Sequence, residues 1–129
     1  MAFEPIPAAT EQIATEVIGA AIEVHRQLGP GFLERIYQEA LSLELDARHV
    51  AFERERAIAV HYKGVAIPGQ RIDLIVANCV VVELKALEIL LPVHRAQILS
   101  YLRLTGHRLG LLINFHVPVI KDGISRIAL

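Results

Sequence analysis

The stretch Arg71-Ile72-Asp73-Leu74-Ile75-Val76-Ala77-Asn78-Cys79-Val80-Val81-Val82-Glu83-Leu84-Lys85-Ala86 reads as two strands joined at Asn78, a good turn former. Its even-numbered residues Ile72, Leu74, Val76, Val80, Val82 and Leu84 are all apolar, whereas odd-numbered Arg71, Asp73, Glu83 and Lys85 carry every charge. A loop with an odd number of residues, such as Ala77-Asn78-Cys79, or a bulge, sets position 73 opposite 83 and leaves the apolar set on one face. A two-residue turn would split that set. The pattern therefore selects the odd loop or bulge. It places Asp73 and Glu83 side by side as a cross-strand pair, with Lys85 next along the same face.

Around this hairpin the period changes. Thr10 can cap a first helix in which Ile13, Val17, Ala20, Ala21, Val24 and Leu28 recur at helical spacing, and Gly29-Pro30-Gly31 stops it. A second helix is expected from about Leu33 to Arg48, its stripe made by Leu33, Ile36, Tyr37, Ala40, Leu41 and Leu45. From Phe52 the period is that of a strand, with a turn at Lys63-Gly64, and Val65 to Ile67 reads as a short strand of its own. Pro92 opens a third helix with Val93, Ala96, Gln97, Ser100, Tyr101 and Leu104 on one face, closed by Gly106. Leu109 to Phe115 is nearly all apolar, as for a strand covered on both faces, and a last strand is expected from Ile124 to Ala128. This order predicts an α+β or mixed α/β layer fold.

The 129 residues suit one domain spanning 1–129. An apolar fraction of 53% and a mean hydropathy of +0.44 leave apolar surface for a partner, so a homodimer or a protein partner is expected. No membrane span is expected, because Glu83, Lys85 and Glu88 interrupt the most apolar region, Val80 to Leu91. Met1 to Gln12 lacks the basic and apolar regions of a secretory signal, which points to the cytoplasm. Cys79 is the only cysteine, so a disulfide within the chain and a cysteine-based zinc site are both excluded. The net charge of −1 gives no global pull toward nucleic acid, and phosphate binding must be local. Of 13 basic residues 10 are arginine; Arg95, Arg103, His107 and Arg108 gather around the third helix and its exit, where they can meet a phosphate or form a solvated face.

Paired carboxylates repel, and holding Asp73 against Glu83 needs a cation or a shared proton. Lys85 neutralises only one of them. Hard oxygen ligands suit Mg²⁺ or Mn²⁺, which take one or two carboxylates together with water and phosphate oxygens. Phosphodiester hydrolysis requires such an ion and a cation near the nucleophile. An ordinary surface ion-pair ladder would show the same charges.

The chain resembles the GxxExxY family, a branch of the PD-(D/E)XK nuclease superfamily. Gly31-Phe32-Leu33-Glu34-Arg35-Ile36-Tyr37 matches the naming motif, Arg71-Ile72-Asp73 supplies the aspartate and Val82-Glu83-Leu84-Lys85 supplies ExK. Gln97 and Tyr101 resemble the QxxxY element of RecB-like members, while Ile72 stands where the superfamily often has proline. The resemblance implies a restriction-endonuclease-like core with a mixed central sheet flanked by helices. It implies that Asp73, Glu83 and the carbonyl of Leu84 bind Mg²⁺ or Mn²⁺, that Glu34 adds a carboxylate, and that Lys85 positions the attacking water. Gln97 and Tyr101 would line the site and contact a phosphate or base of DNA or RNA. His25 stands near a position that ligates metal in some RecB-like relatives, although a histidine at a helix end also complements the helix dipole. The expected activity is metal-dependent phosphodiester hydrolysis; the alternative is a nuclease-fold module that binds nucleic acid or a protein without turnover.

Overall fold

A computed structural model describes residues 4–129, in which the elements run α1 (Ala8–Leu28), α2 (Glu34–Ala47), β1 (Phe52–Tyr62), β2 (Val65–Val76), β3 (Val80–Lys85), α3 (Pro92–Thr105), β4 (Leu109–Asn114), a short 3-10 helix (Ile120–Gly123) and β5 (Ile124–Ala128). Met1–Phe3, the start of the segment read for a targeting signal, lies outside the described residues. The sheet order is β1-β2-β3-β4-β5. Only β3 and β4 are parallel, and the helix α3 makes the crossover between them. The other pairs are antiparallel hairpins or neighbours.

The hairpin register is the one that segregates charge from apolar side chains. Leu74 pairs with Val82 and Val76 with Val80 across the loop Ala77-Asn78-Cys79, so Asp73 and Glu83 are next in register. Leu74, Val76, Val80, Val82 and Leu84 join Leu109, Leu111, Ile113 and Phe115 in a core covered by α1 and α2. Their odd-numbered neighbours Ile75 and Val81 pack with Leu112 against Ile98 and Leu102 of α3 on the other face. Ile72 departs from the expected face and packs with this second cluster. The β2–β3 ladder has already ended at Leu74–Val82 there, and although Ile72 still pairs with Arg56 on the β1 side, Glu55 just before it lies in the left-handed region at φ 48°, an irregularity that breaks strict alternation. All six residues of β4 are buried, which is why its sequence carries no alternation.

Two further boundaries differ from expectation. The helix α1 starts at Ala8 behind Pro7, whose carbonyl accepts from the N–H of Glu11, and Thr10 is buried in the first turn instead of capping it. Val65–Ile67 is not separate: Ile58 pairs with Gln70 and Val60 with Ile67, so Pro68 and Gly69 oppose Ala59 as a bulge. A bulge tolerates a proline that cannot donate to the ladder, and Gly69 takes the φ of 116°.

The turn between α1 and α2 is closed by Tyr37. Its hydroxyl donates to the Gly29 carbonyl at 2.6 Å and accepts from the Phe32 N–H at 3.2 Å, while its ring stacks on Phe115 at 4.4 Å. Gly31, at φ 112°, permits the loop that Tyr37 clamps, and the loop in turn sets where Glu34 begins α2. Replacing Tyr37 by Phe keeps the stack and removes both hydrogen bonds. Urea denaturation should show a loss of about 1–3 kcal/mol for Tyr37→Phe, the net worth of two part-buried hydrogen bonds; no loss would mean that the clamp is dispensable.

Candidate active site

The acidic pair sits where the β2–β3 ladder opens. Beyond Leu74–Val82 the strands exchange side chain for backbone: the Asp73 N–H donates to Glu83 Oε1 at 2.9 Å, and the Leu84 N–H donates to Asp73 Oδ2 at 2.9 Å. Each carboxylate is thereby aimed by the backbone of the opposite strand, which satisfies the amides released where the strands part. Glu83 is only 3% exposed. Burial, and then the charge of Asp73, push its carboxyl up to about 8. The Asp73 carboxyl is also raised, chiefly by burial, although the Leu84 amide and the Lys85 charge oppose this.

Lys85 lies on the same side of β3, half-buried, and has no ion-pair partner among the described residues. Its strand end is fixed from behind. The Lys85 carbonyl accepts from the Phe115 N–H at 2.9 Å. The Asn114 side chain, buried at the end of β4, accepts from the Leu87 N–H at 3.0 Å and donates to the Leu87 carbonyl at 2.8 Å. The sequence carried no signal for this clamp beyond a polar residue ending an apolar strand.

Glu34 approaches from the first turn of α2. It is half-buried, and desolvation followed by the charge of Asp73 raises its carboxyl, with Lys85 acting in the other direction. It therefore belongs to the same electrostatic neighbourhood. Among the described residues, however, no three His, Cys, Asp or Glu side chains converge into a metal cage. A donor set of two carboxylates, completed by water and phosphate oxygens, still fits a hard divalent ion, since buried Glu83 and half-buried Asp73 have only Lys85 to offset their charge.

Gln97 and Tyr101 occupy the α3 side of the site. Tyr101, 2% exposed, accepts from Gln70 Nε2 at 2.6 Å and donates to the Arg71 carbonyl at 3.2 Å, so its hydroxyl is used within the fold and ties α3 to β2 just before Asp73. Gln97 is half-buried and opens with Lys85 onto a cleft of about 760 Å³ between α3 and the β1–β2 hairpin. His25 lies away from this chemistry. Its Nε2–H donates to the Val117 carbonyl at 2.8 Å, a structural tie between α1 and the segment after β4. Arg108 binds the carbonyls of Glu4, Pro5 and Leu129, and so also serves the fold.

The raised Glu83 carboxyl has a consequence for stability. Between the ordinary carboxylate range and about pH 8 the folded protein keeps a proton that the unfolded chain has released, so stability falls as pH rises through that window. Glu83→Gln preserves the neutral form. In chelator, its melting temperature should exceed that of wild type by about 5 °C near pH 9, with the gap closing toward about pH 5. Scanning calorimetry that finds an equal gap at both pH values would refute the assignment.

Residues 11–127 match the sequence model of the PD-(D/E)XK nuclease superfamily. No curated protein and no solved structure matches the chain. The mixed five-stranded sheet with three helices is consistent with a restriction-endonuclease-like core, and nucleases of this superfamily generally use divalent metals. With the match covering nearly all of its length, the chain belongs to the PD-(D/E)XK nuclease superfamily.

Proposed function

We propose that the chain is a Mg²⁺- or Mn²⁺-dependent nuclease of the GxxExxY branch, working as one domain in the cytoplasm and hydrolysing phosphodiester bonds of DNA or RNA. The observation that carries this reading is the pair of half-buried Asp73 and buried Glu83 with Lys85 beside it, at the end of a cleft. Asp73, Glu83 and the Leu84 carbonyl would hold the ion, with Glu34 acting from across the site. Bound there, a divalent cation would neutralise developing charge and acidify water. Lys85 orients the attacking water and steadies the charge that grows on the phosphoryl oxygens. Glu34 adds a further carboxylate from the first turn of α2, its carboxyl raised by burial and then by the charge of Asp73. Tyr101 acts on β2 through the Arg71 carbonyl, and Gln97 meets the substrate.

Cleavage should require Mg²⁺ or Mn²⁺, stop with chelator and fail in Ca²⁺. Asp73→Ala and Glu83→Ala should lose calorimetric Mn²⁺ binding and turnover together, whereas Lys85→Ala should keep Mn²⁺ binding and lose turnover by about 10² or more. Assays on single-stranded DNA, duplex DNA and RNA with all variants purified in parallel exclude a contaminant. Mn²⁺ binding without cleavage of any of these would favour a binding module, and cleavage surviving Lys85→Ala and Glu83→Ala would place the chemistry elsewhere.

Self-association as a homodimer is the second part of the proposal, supported by exposed apolar residues at the hairpin tip, where Tyr62 is 63% and Val65 64% exposed. Light scattering should report a dimer that Tyr62→Ser weakens. A monomer at high protein concentration would count against it.

A further inference from the structure

The cleft beside Lys85 has walls that a phosphate cannot use. Val60 of β1 forms one side, and Val93, Ala96 and Leu104 of α3 form the other. Val60, Val93 and Leu104 are all exposed, so these walls face solvent and lack partners within the fold. The polar groups are placed around them: Gln97 and Arg103 are on the lining with Gln70, whose Nε2 is held by the Tyr101 hydroxyl, and Lys85 lies toward the carboxylates. Among the described residues no acidic side chain lines the cleft, although the chain as a whole carries a net charge of −1.

We infer that this cleft takes the unpaired bases of a single strand whose backbone passes Lys85, which makes single-stranded nucleic acid the substrate class. The inference rests on the nuclease reading above for the position of the scissile phosphate. Apolar walls attract the flat faces of bases, and in a duplex those faces are stacked on their neighbours while only the edges reach the grooves. A duplex therefore offers these walls nothing to bind. Unstacked bases offer their faces to the walls and their edges to an amide such as Gln97, and basic residues track the backbone. The lining supplies all three: aliphatic faces, amide edges and a wholly basic set of charges. It also joins the hydrolytic centre directly, since Lys85 belongs to both.

The experiment measures binding apart from cleavage. Fluorescence anisotropy of the full chain in Ca²⁺ compares a labelled oligothymidylate, an abasic strand of equal length and a duplex of equal length. The oligothymidylate should bind about tenfold more tightly than either of the others, the effect of one base face withdrawn onto apolar surface. Leu104→Asp and Val93→Asp, both at exposed positions, should reduce it to the abasic level while calorimetric Mn²⁺ binding stays unchanged; circular dichroism identifies either variant that fails to fold, leaving the other to decide. Equal binding of the three probes, no binding at all, or base dependence that survives a folded cleft variant would overturn the inference. Base-dependent binding by a protein that cleaves nothing would uphold the cleft and sink the nuclease reading. Preferential cleavage of duplex, lost in Lys85→Ala, would do the reverse.

Discussion

Two hydrogen bonds between side chain and backbone, Asp73 N–H to Glu83 and Leu84 N–H to Asp73, hold together the point at which this sheet stops being a sheet. Strands that separate expose amides, and exposed amides in an interior must find acceptors. Here the acceptors are the carboxylates themselves. The opening of the ladder and the orientation of the acidic pair are thus one event. Neither carboxylate can be moved without releasing a buried N–H, and that constraint gives side chains on two different strands a fixed relative geometry.

The rest of the fold supplies the surroundings. Because β3 and β4 run parallel, α3 must cross over the face that bears Asp73 and Glu83, and it brings Gln97 and Tyr101 with it. The opposite face is sealed by α1 and α2 over a large aliphatic core. At the end of that layer the Tyr37 clamp delivers the first turn of α2, and hence Glu34, to the same electrostatic neighbourhood. Burial on both faces raises the carboxyls, and an unpaired lysine beside them supplies the only nearby positive charge that those shifts record. A site assembled this way sacrifices stability in the absence of a cation, as strained functional centres commonly do.

How much of this the sequence disclosed depended on whether a feature is periodic. The register at Asp73 and Glu83 was legible because one residue of slip would have turned a whole apolar face outward. The parallel core strand showed in the unbroken run Leu109 to Phe115, and α3 in Pro92 and Gly106. What escaped were contacts between residues far apart in the chain. Nothing local announces that Asn114 will hold Leu87, that Gln70 will occupy Tyr101, or that Tyr37 will stack on Phe115. Val65 to Ile67 reads as a separate strand, yet Pro68-Gly69 after it is absorbed opposite Ala59 as a bulge, which only pairing reveals. Ile72 escaped for a related reason, since the β2–β3 ladder stops at Leu74 and the left-handed Glu55 on β1 interrupts the alternation beside it.

The long β1–β2 hairpin divides into two regimes of stability. Its inner half lies against β3 and α3, whereas every residue from His61 to Gly69 is exposed and held chiefly by its own cross-strand bonds. Local opening free energy scales with buried contacts, so this outer half opens and recloses far more often than the strands beside it. The bulge at Pro68-Gly69 marks the boundary between the two. One wall of the cleft therefore belongs to the part of the molecule that breathes, and the other, with the acidic pair, to the part that does not. Fraying of the outer half leaves the Leu74–Val82 and Val76–Val80 pairs, and Asp73 beside Glu83, in register.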